Sequence, residues 1–200
     1  PAAALNFYRK YKANTILDFT AGWGSRMTAA LVGDFNYIGI DSNISLAYGY
    51  NKIRKLIKPH SKSKIDLFFK PAEEVDFSKF KYDMVFTSPP YEYLEVYENM
   101  KNYEGIGKIK QPSSSTKIKM TDGKNFYDDF LIPTIKQAYK YLPKGRPLCL
   151  NIPDLMYKKI RKKWKKYDKK EDYMIIKRPG SNIEPNKRRG QEYVYIWFKK

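Results

Sequence analysis

Residues 15–25 read TILDFTAGWGS, an apolar run that leads through two glycines into an amphipathic segment. The run is typical of a buried strand, and the glycines allow the backbone to turn sharply into a helix. A second apolar run ends at Asp41, 17 residues after Gly24. This order of strand, glycine turn, helix and strand with a terminal acid predicts an open α/β sheet. Such sheets bind nucleotide-like ligands at the carboxyl ends of their strands.

The rest of the chain continues the alternation of apolar runs and amphipathic stretches, which predicts a single Rossmann-like domain over residues 1–200. Its sheet is mostly parallel, with helices on both faces. The predicted strands are Thr15–Phe19, Tyr37–Ile40, Ile65–Phe69, Met84–Thr87, Leu148–Ile152, Tyr173–Ile176 and Tyr193–Phe198. The predicted helices are Ala2–Tyr11, Ser25–Leu31, Ile44–Leu56, Tyr127–Leu142 and Met156–Trp164. No helix separates the last two strands, so we expect an antiparallel hairpin there.

One segment, residues 92–125, interrupts this alternation. It has no clear period and contains six lysines and a run of three serines. A loop of this length inside a compact domain is usually functional or disordered. We therefore predict that residues 92–125 form a loop that binds the substrate.

The glycine turn predicts a nucleoside cofactor rather than a dinucleotide. A dinucleotide fingerprint would need a third glycine at position 27, where Met27 stands. Asp41 is suited to accept hydrogen bonds from the two hydroxyls of a ribose. Asp18, at the start of the turn, is suited to pair with a cationic amino group. Glu73, after the third strand, is either a ligand of the cofactor's base or a surface charge.

A second candidate site follows the fourth strand, where the sequence reads Ser88-Pro89-Pro90-Tyr91. Two consecutive prolines cannot continue a central strand, and they stiffen the backbone. A rigid turn that merely ends the strand is the alternative interpretation. The glycine turn favours a site, because both segments follow strands that are neighbours in the predicted sheet.

These two segments resemble the motifs of the S-adenosylmethionine-dependent amino-methyltransferases, which modify N6 of adenine or N4 of cytosine. Residues 18–24 look like the cofactor motif of that family and residues 88–91 like its catalytic tetrapeptide; phage and large-virus members look closest in overall style. The resemblance implies the class I methyltransferase fold and S-adenosylmethionine as cofactor. It also implies that helix Ala2–Tyr11 packs over the methionine part of that cofactor.

The resemblance assigns roles to individual residues. The cofactor-binding residues would be Asp18, Phe19, Thr20, Gly22, Trp23, Gly24, Asp41, Ser42 and Glu73. The catalytic residues would be Ser88, Pro89, Pro90 and Tyr91. The Ser88 hydroxyl and the Pro89 carbonyl would accept the hydrogens of the exocyclic amine, and Tyr91 would stack on a base that has left its duplex.

Charge points to the substrate. Of the net charge of +18, residues 1–100 contribute +2 (13 Lys/Arg, 11 Asp/Glu) and residues 101–200 contribute +16 (26 and 10). A half this basic attracts a polyanion such as DNA or RNA. The predicted nucleic-acid contacts are Tyr93, Lys158, Lys159, Arg161, Lys162, Lys187, Arg188 and Arg189. The alternative for the lysine-rich stretch is a solvated helix face.

Several classes remain open. DNA is the leading substrate, and a serine at the head of the tetrapeptide slightly favours N4 of cytosine over N6 of adenine. The alternatives are an RNA base methyltransferase acting on N2 of guanine or N6 of adenine, and a non-catalytic module that binds nucleic acid. Methylation at carbon 5 of cytosine would need a cysteine nucleophile after the fourth strand, whereas Cys149 lies in the predicted fifth strand. With one cysteine and one histidine no metal site is expected. The absence of a long apolar run predicts a soluble intracellular protein without membrane contact.

Overall fold

The computed structural model describes residues 1–90, 125–173 and 193–200, and a seven-stranded sheet organises them. The strands are Thr15–Asp18 (β1), Asn36–Asp41 (β2), Ile65–Phe69 (β3), Met84–Thr87 (β4), Pro147–Ile152 (β5), Lys169–Asp172 (β6) and Tyr193–Phe198 (β7). The α-helices are Ala2–Lys10 (α1), Ser25–Val32 (α2), Ala47–Ile57 (α3), Ile132–Lys140 (α4) and Asp154–Lys163 (α5). No helix in these described ranges has the length and apolarity needed to cross a membrane.

The strand order is β3-β2-β1-β4-β5-β7-β6. Strands β1 to β5 run parallel, whereas β7 pairs antiparallel with both β5 and β6. The expected parallel sheet with an antiparallel carboxyl-terminal hairpin is therefore confirmed. After β3 the chain returns to the middle of the sheet and places β4 beside β1, so the winding direction reverses between these two strands.

Two hydrophobic cores cover the faces of the sheet. Helices α1, α2 and α3 pack on one face, where Phe7, Met27 and Phe86 are buried. Helices α4 and α5 pack on the other face with Leu17, Ile135 and Trp197. Strands covered on both faces read as continuous apolar runs, which is why the sequence predicts β1, β4 and β5 within a residue or two.

The sixth strand lies earlier than predicted. It covers Lys169–Asp172 rather than Tyr173–Ile176; Tyr173 follows the strand, and residues 174–176 lie outside the described residues. Strand β6 is the edge of the sheet and pairs only with β7. Edge strands tolerate charged residues, so its sequence Lys-Lys-Glu-Asp lacks the apolar signal that marks the central strands.

Two predicted helices begin differently in the structure. The segment that leads into α3 starts with a 3₁₀ turn at Ile44–Leu46. The segment that leads into α4 starts with a π-helical turn at Phe126–Leu131, whose N-terminus is capped by the side chain of Asn125. Asn125 is also the one described residue of the predicted loop 92–125.

Candidate active site

The two candidate sites lie side by side at the carboxyl ends of two neighbouring strands. The glycine turn follows β1 and the segment Ser88–Pro90 follows β4, and these strands are paired neighbours with Leu17 opposite Val85. This position is the switch point of the sheet, where the chain winds outward in opposite directions on its two sides. Open α/β sheets bind their ligands in the crevice at such a point.

The glycine turn depends on two left-handed backbone positions, Gly22 with φ of 61° and Gly24 with φ of 80°. Residues other than glycine rarely adopt these backbone conformations. A hydrogen bond from the Ala21 N–H to the Ile40 carbonyl, 2.9 Å long, fixes the turn to the end of β2. A Cβ atom built on Gly22 would meet nothing closer than the Thr20 carbonyl at 3.8 Å, so space is open beside this backbone.

Asp41 lies directly beside the turn. Its Oδ2 accepts a 2.7 Å hydrogen bond from the Gly22 N–H, and its Oδ1 accepts a 2.9 Å bond from the Asn43 N–H. Burial raises the pKa of Asp41, and the two backbone hydrogen bonds only partly oppose this effect. A carboxylate oxygen has two lone pairs, so each oxygen keeps one with which to accept a ligand hydroxyl.

Asp18 is fully buried, with 0% of its surface exposed, and its carboxylate is occupied by protein donors. Oδ2 accepts from Arg26 Nε at 2.5 Å and from the Tyr37 hydroxyl at 2.6 Å. Oδ1 accepts from Thr87 Oγ1 at 2.8 Å, and more weakly from Arg26 Nη2 and the Thr20 N–H at 3.3 Å each. The expected pairing of Asp18 with a ligand's amino group is therefore corrected: its cationic partner is Arg26.

Arg26 is not among the site residues that the sequence predicts. The glycine turn reverses the chain, so the first turn of α2 returns this side chain to the carboxylate eight residues earlier. Burial acts to lower the pKa of Arg26, but the Asp18 carboxylate together with the Tyr37 and Tyr8 side chains outweighs it and raises the pKa, so the guanidinium stays charged. Nothing in the sequence distinguishes Arg26 from a surface arginine, apart from its position directly after the glycine turn.

Hydrogen-bonded hydroxyl groups join the glycine turn to the segment Ser88–Pro90. Thr87 Oγ1 donates its hydrogen to Asp18, so the 2.5 Å contact between Thr20 Oγ1 and Thr87 Oγ1 is a bond that Thr20 donates. Next along the chain, Ser88 Oγ donates a 3.2 Å hydrogen bond to the Asn151 carbonyl at the end of β5. With its hydrogen used in this way, the Ser88 oxygen is left as an acceptor.

The other predicted site residues have different surroundings. Phe19 is a core side chain stacked on Phe77, with 6.4 Å between the ring centroids, so only its backbone can reach a ligand. Trp23 is 77% exposed. Ser42 is partly buried directly after Asp41, and Glu73 lies in a 3₁₀ turn after β3. Pro89 is buried and Pro90 partly buried; Tyr91 lies outside the described residues.

Helix α5 carries the predicted basic contacts that the structure describes. Lys158, Arg161 and Lys162 are exposed, and the Lys159 amine lies 5.2 Å from the centre of the Tyr127 ring. Lys163, at the end of the helix, pairs with Asp128 instead. The remaining predicted contacts lie outside the described residues, namely Tyr93, Lys187, Arg188 and Arg189.

The described part of the chain holds no group of three or more His, Cys, Asp or Glu side chains that could bind a metal ion. Cys149 is fully buried in β5, as expected, and burial raises the pKa of its thiol.

No protein-family model and no curated protein matches this sequence. Solved structures do match in fold. TehB from Haemophilus influenzae has a TM-score of 0.58 at 10% identity, over 100% of this chain and 62% of that one. TrmN from Thermus thermophilus has a TM-score of 0.60 at 13% identity, over 98% and 48%. An rRNA methylase from Streptococcus thermophilus has a TM-score of 0.59 at 9% identity, over 98% and 93%.

The chain thus spans less than two thirds of TehB and about half of TrmN, but nearly all of the rRNA methylase. At these identities the likeness is one of fold. The shared fold is a Rossmann-like sheet of the methyltransferase type, in agreement with the fold class that the sequence predicts.

Proposed function

We propose that this chain is an S-adenosylmethionine-dependent methyltransferase that acts on an exocyclic amine of a nucleic-acid base. One observation carries the proposal. The hydrogen bonds that join Thr20, Thr87 and Asp18 hold the glycine turn and the Ser88–Pro90 segment together at the switch point. A cofactor over the turn and an amine at Ser88 would then face each other across one crevice.

The residues at the turn fit the cofactor. The open backbone at Gly22 allows close approach, and Asp41 retains acceptors for the ribose hydroxyls. Met27 stands where a pyrophosphate-binding motif would need glycine. When bound, S-adenosylmethionine supplies a methyl group on a sulfonium, so the protein needs to position an acceptor and has no redox step to support.

Ser88 and Pro89 would supply that positioning. The lone pair of an exocyclic amine is delocalised into its ring, which makes the nitrogen a poor nucleophile. The Ser88 hydroxyl donates its hydrogen to the Asn151 carbonyl. Its oxygen then accepts a hydrogen bond from one N–H of the amine, and the Pro89 carbonyl accepts a hydrogen bond from the other. Neither proline has an N–H that would compete as a donor. The rate then comes from orientation and electrostatics.

The exposed cations of α5 support a nucleic-acid substrate. Arg161 and Lys162 follow Lys158 by three and four residues, so both neighbour it on one side of the helix. We infer that this face contacts phosphates, with DNA as the leading substrate and N4 of cytosine slightly favoured over N6 of adenine. RNA is the second candidate, since unstacked RNA bases suit the same surface and an rRNA methylase shares this fold.

Methyl transfer from tritiated S-adenosylmethionine to DNA, RNA and a protein mixture tests the proposal. We expect label in nucleic acid, and mass spectrometry of the digested nucleosides then identifies the methylated base. Label in protein alone would contradict the proposal. Nucleic-acid binding without any transfer would instead support the non-catalytic binding module.

A further inference from the structure

We infer that Arg26 recognises the carboxylate of the amino-acid part of the cofactor, an assignment that rests on the proposed function. The Arg26 side chain is nine-tenths buried, with 10% exposed, beneath the glycine turn. The proposal follows from its hydrogen-bond donors, because the protein uses some of them and leaves others unused.

The guanidinium has five N–H donors in a planar fork. Nε and one hydrogen of Nη2 face Asp18, and the second Nη2 hydrogen goes to the Thr20 carbonyl. Neither hydrogen of Nη1 has a hydrogen-bond partner in the described residues. Nη1 is not fully excluded from solvent either, so part of its surface is open to a ligand.

The direction of this free donor follows from the planar fork. One Nη1 hydrogen lies on the same edge of the guanidinium as the Nη2 hydrogen that donates to Thr20. Thr20 and Gly22 form the glycine turn, and Nη2 lies 4.0 Å from the Cβ position of Gly22. The unused donor is therefore directed along the turn, where the proposed cofactor would lie.

The surroundings favour an anion at this point. Gly24, the residue before α2, makes no side-chain cap, and the first turn of the helix contains no acidic residue. The N–H groups of that turn carry partial positive charge. Asp18 is fully buried and its oxygens are occupied by protein donors, so beside Arg26 the turn presents donors to a ligand. An α-carboxylate satisfies these donors, and Arg26 can hold it through Nη1 without releasing Asp18.

The test compares two ligands that differ only in the carboxylate, S-adenosylmethionine and its decarboxylated form, by titration calorimetry. The wild-type protein is expected to prefer the carboxylated ligand by roughly tenfold or more, the effect of a charge-assisted hydrogen bond. Arg26→Lys keeps a cation on Asp18 but loses Nη1. We expect this variant to lose the preference while its affinity for the decarboxylated ligand stays within about twofold.

The matched control is Arg146→Lys, which alters another arginine–aspartate pair. Arg146 lies 2.7 Å from Asp83, and these two residues directly precede β5 and β4, at the amino-terminal ends of the strands. It should leave both affinities unchanged. If Arg26→Lys does not unfold cooperatively, the double variant Asp18→Asn/Arg26→Gln takes its place, since it leaves no buried charge.

The outcomes are distinct. A preserved preference in the Arg26 variant overturns the assignment, and so does an equal loss of affinity for both ligands, which would make Arg26 only a support for the turn. Absence of binding by the wild-type protein to either ligand would instead overturn the proposed function itself.

Discussion

Thr87 Oγ1 donates a 2.8 Å hydrogen bond to the buried carboxylate of Asp18, across the boundary between β4 and β1. The residue after Thr87 is the proposed catalytic Ser88, and the residues after Asp18 form the glycine turn. Removing the hydroxyl would take from Asp18 Oδ1 its shortest hydrogen bond, leaving only the two weaker ones at 3.3 Å, and would leave the Thr20 hydroxyl without the acceptor it uses here. Thr87→Val should therefore lower the free energy of unfolding by about 1–3 kcal/mol in urea denaturation.

Thr87→Ser is the control for this variant, because it keeps the hydroxyl and removes only a methyl group. It should unfold within about 1 kcal/mol of the wild type. Equal losses in the two variants would show that packing, rather than the hydrogen bond, makes Thr87 important.

Ser88→Ala should reduce single-turnover methyl transfer by roughly 10²–10³-fold, in line with the loss of one positioned hydrogen-bonding group at a reaction centre. Affinity for S-adenosylmethionine, measured by calorimetry, should remain unchanged. Ser78→Ala, at an exposed turn distant from the switch point, is the matched control. Ser88 has no role in transfer if both variants turn over at the wild-type rate.

If Asp41 binds the ribose as proposed, cofactor affinity should depend on pH. Its ionised carboxylate would accept from the ribose hydroxyls, and burial raises the pKa of this group above that of an ordinary aspartate. As the pH falls, affinity should therefore begin to decline at a higher pH than an unperturbed aspartate would allow. Asp41→Asn should bind weakly at neutral pH and lack this dependence. A wild-type dissociation constant that stays flat down to the ordinary aspartate range would contradict the assignment.

Glu171 joins the edge strand β6 to α1. Its carboxylate lies 2.5 Å from the Lys10 amine, 2.7 Å from that of Lys169 and 2.6 Å from the Tyr11 hydroxyl. Burial alone would raise the pKa of Glu171, but these partners outweigh it and lower the pKa to about 2 from 4.5. The carboxylate thus contributes stability above its unfolded pKa and loses it as the pH falls from 4.5 toward 2.

Urea denaturation of Glu171→Gln at a series of pH values checks this sign. The variant should be less stable than the wild type at pH 7, and the difference should shrink over that acidic interval. A difference that is constant across the interval would show that the ion pairs of Glu171 do not stabilise the fold.

The basic face of α5 predicts a salt-dependent substrate affinity. Replacing Lys158, Arg161 and Lys162 with glutamine should weaken nucleic-acid binding and reduce the slope of log affinity against log salt by about 2–3, as expected for the loss of three phosphate contacts. The matched control replaces three exposed lysines around the end of α3 on the opposite face, Lys52, Lys55 and Lys58. Equal changes in slope would indicate a diffuse charge effect.

The sequence predicts the parts of this fold that depend on local patterns. Apolar runs mark the central strands, and glycine spacing marks the turn before α2. The position of strand β6 is not predicted because an edge strand needs no apolar residues. The partners of Asp18 are not predicted for another reason. An aspartate in a cofactor motif is interpreted as a ligand of the cofactor, whereas only the folded turn brings Arg26, Tyr37 and Thr87 within hydrogen-bond distance of its oxygens.

The position of β7 constrains how the chain assembles as it leaves the ribosome. Tyr193–Phe198 inserts between β5 and β6, which come earlier in the chain and do not pair with each other. Until Phe198 has been synthesised, β5 presents an open edge and Lys169–Asp172 has no strand to join. The nascent chain can therefore form β1 to β5 during translation, but β6 joins the sheet only when β7 docks.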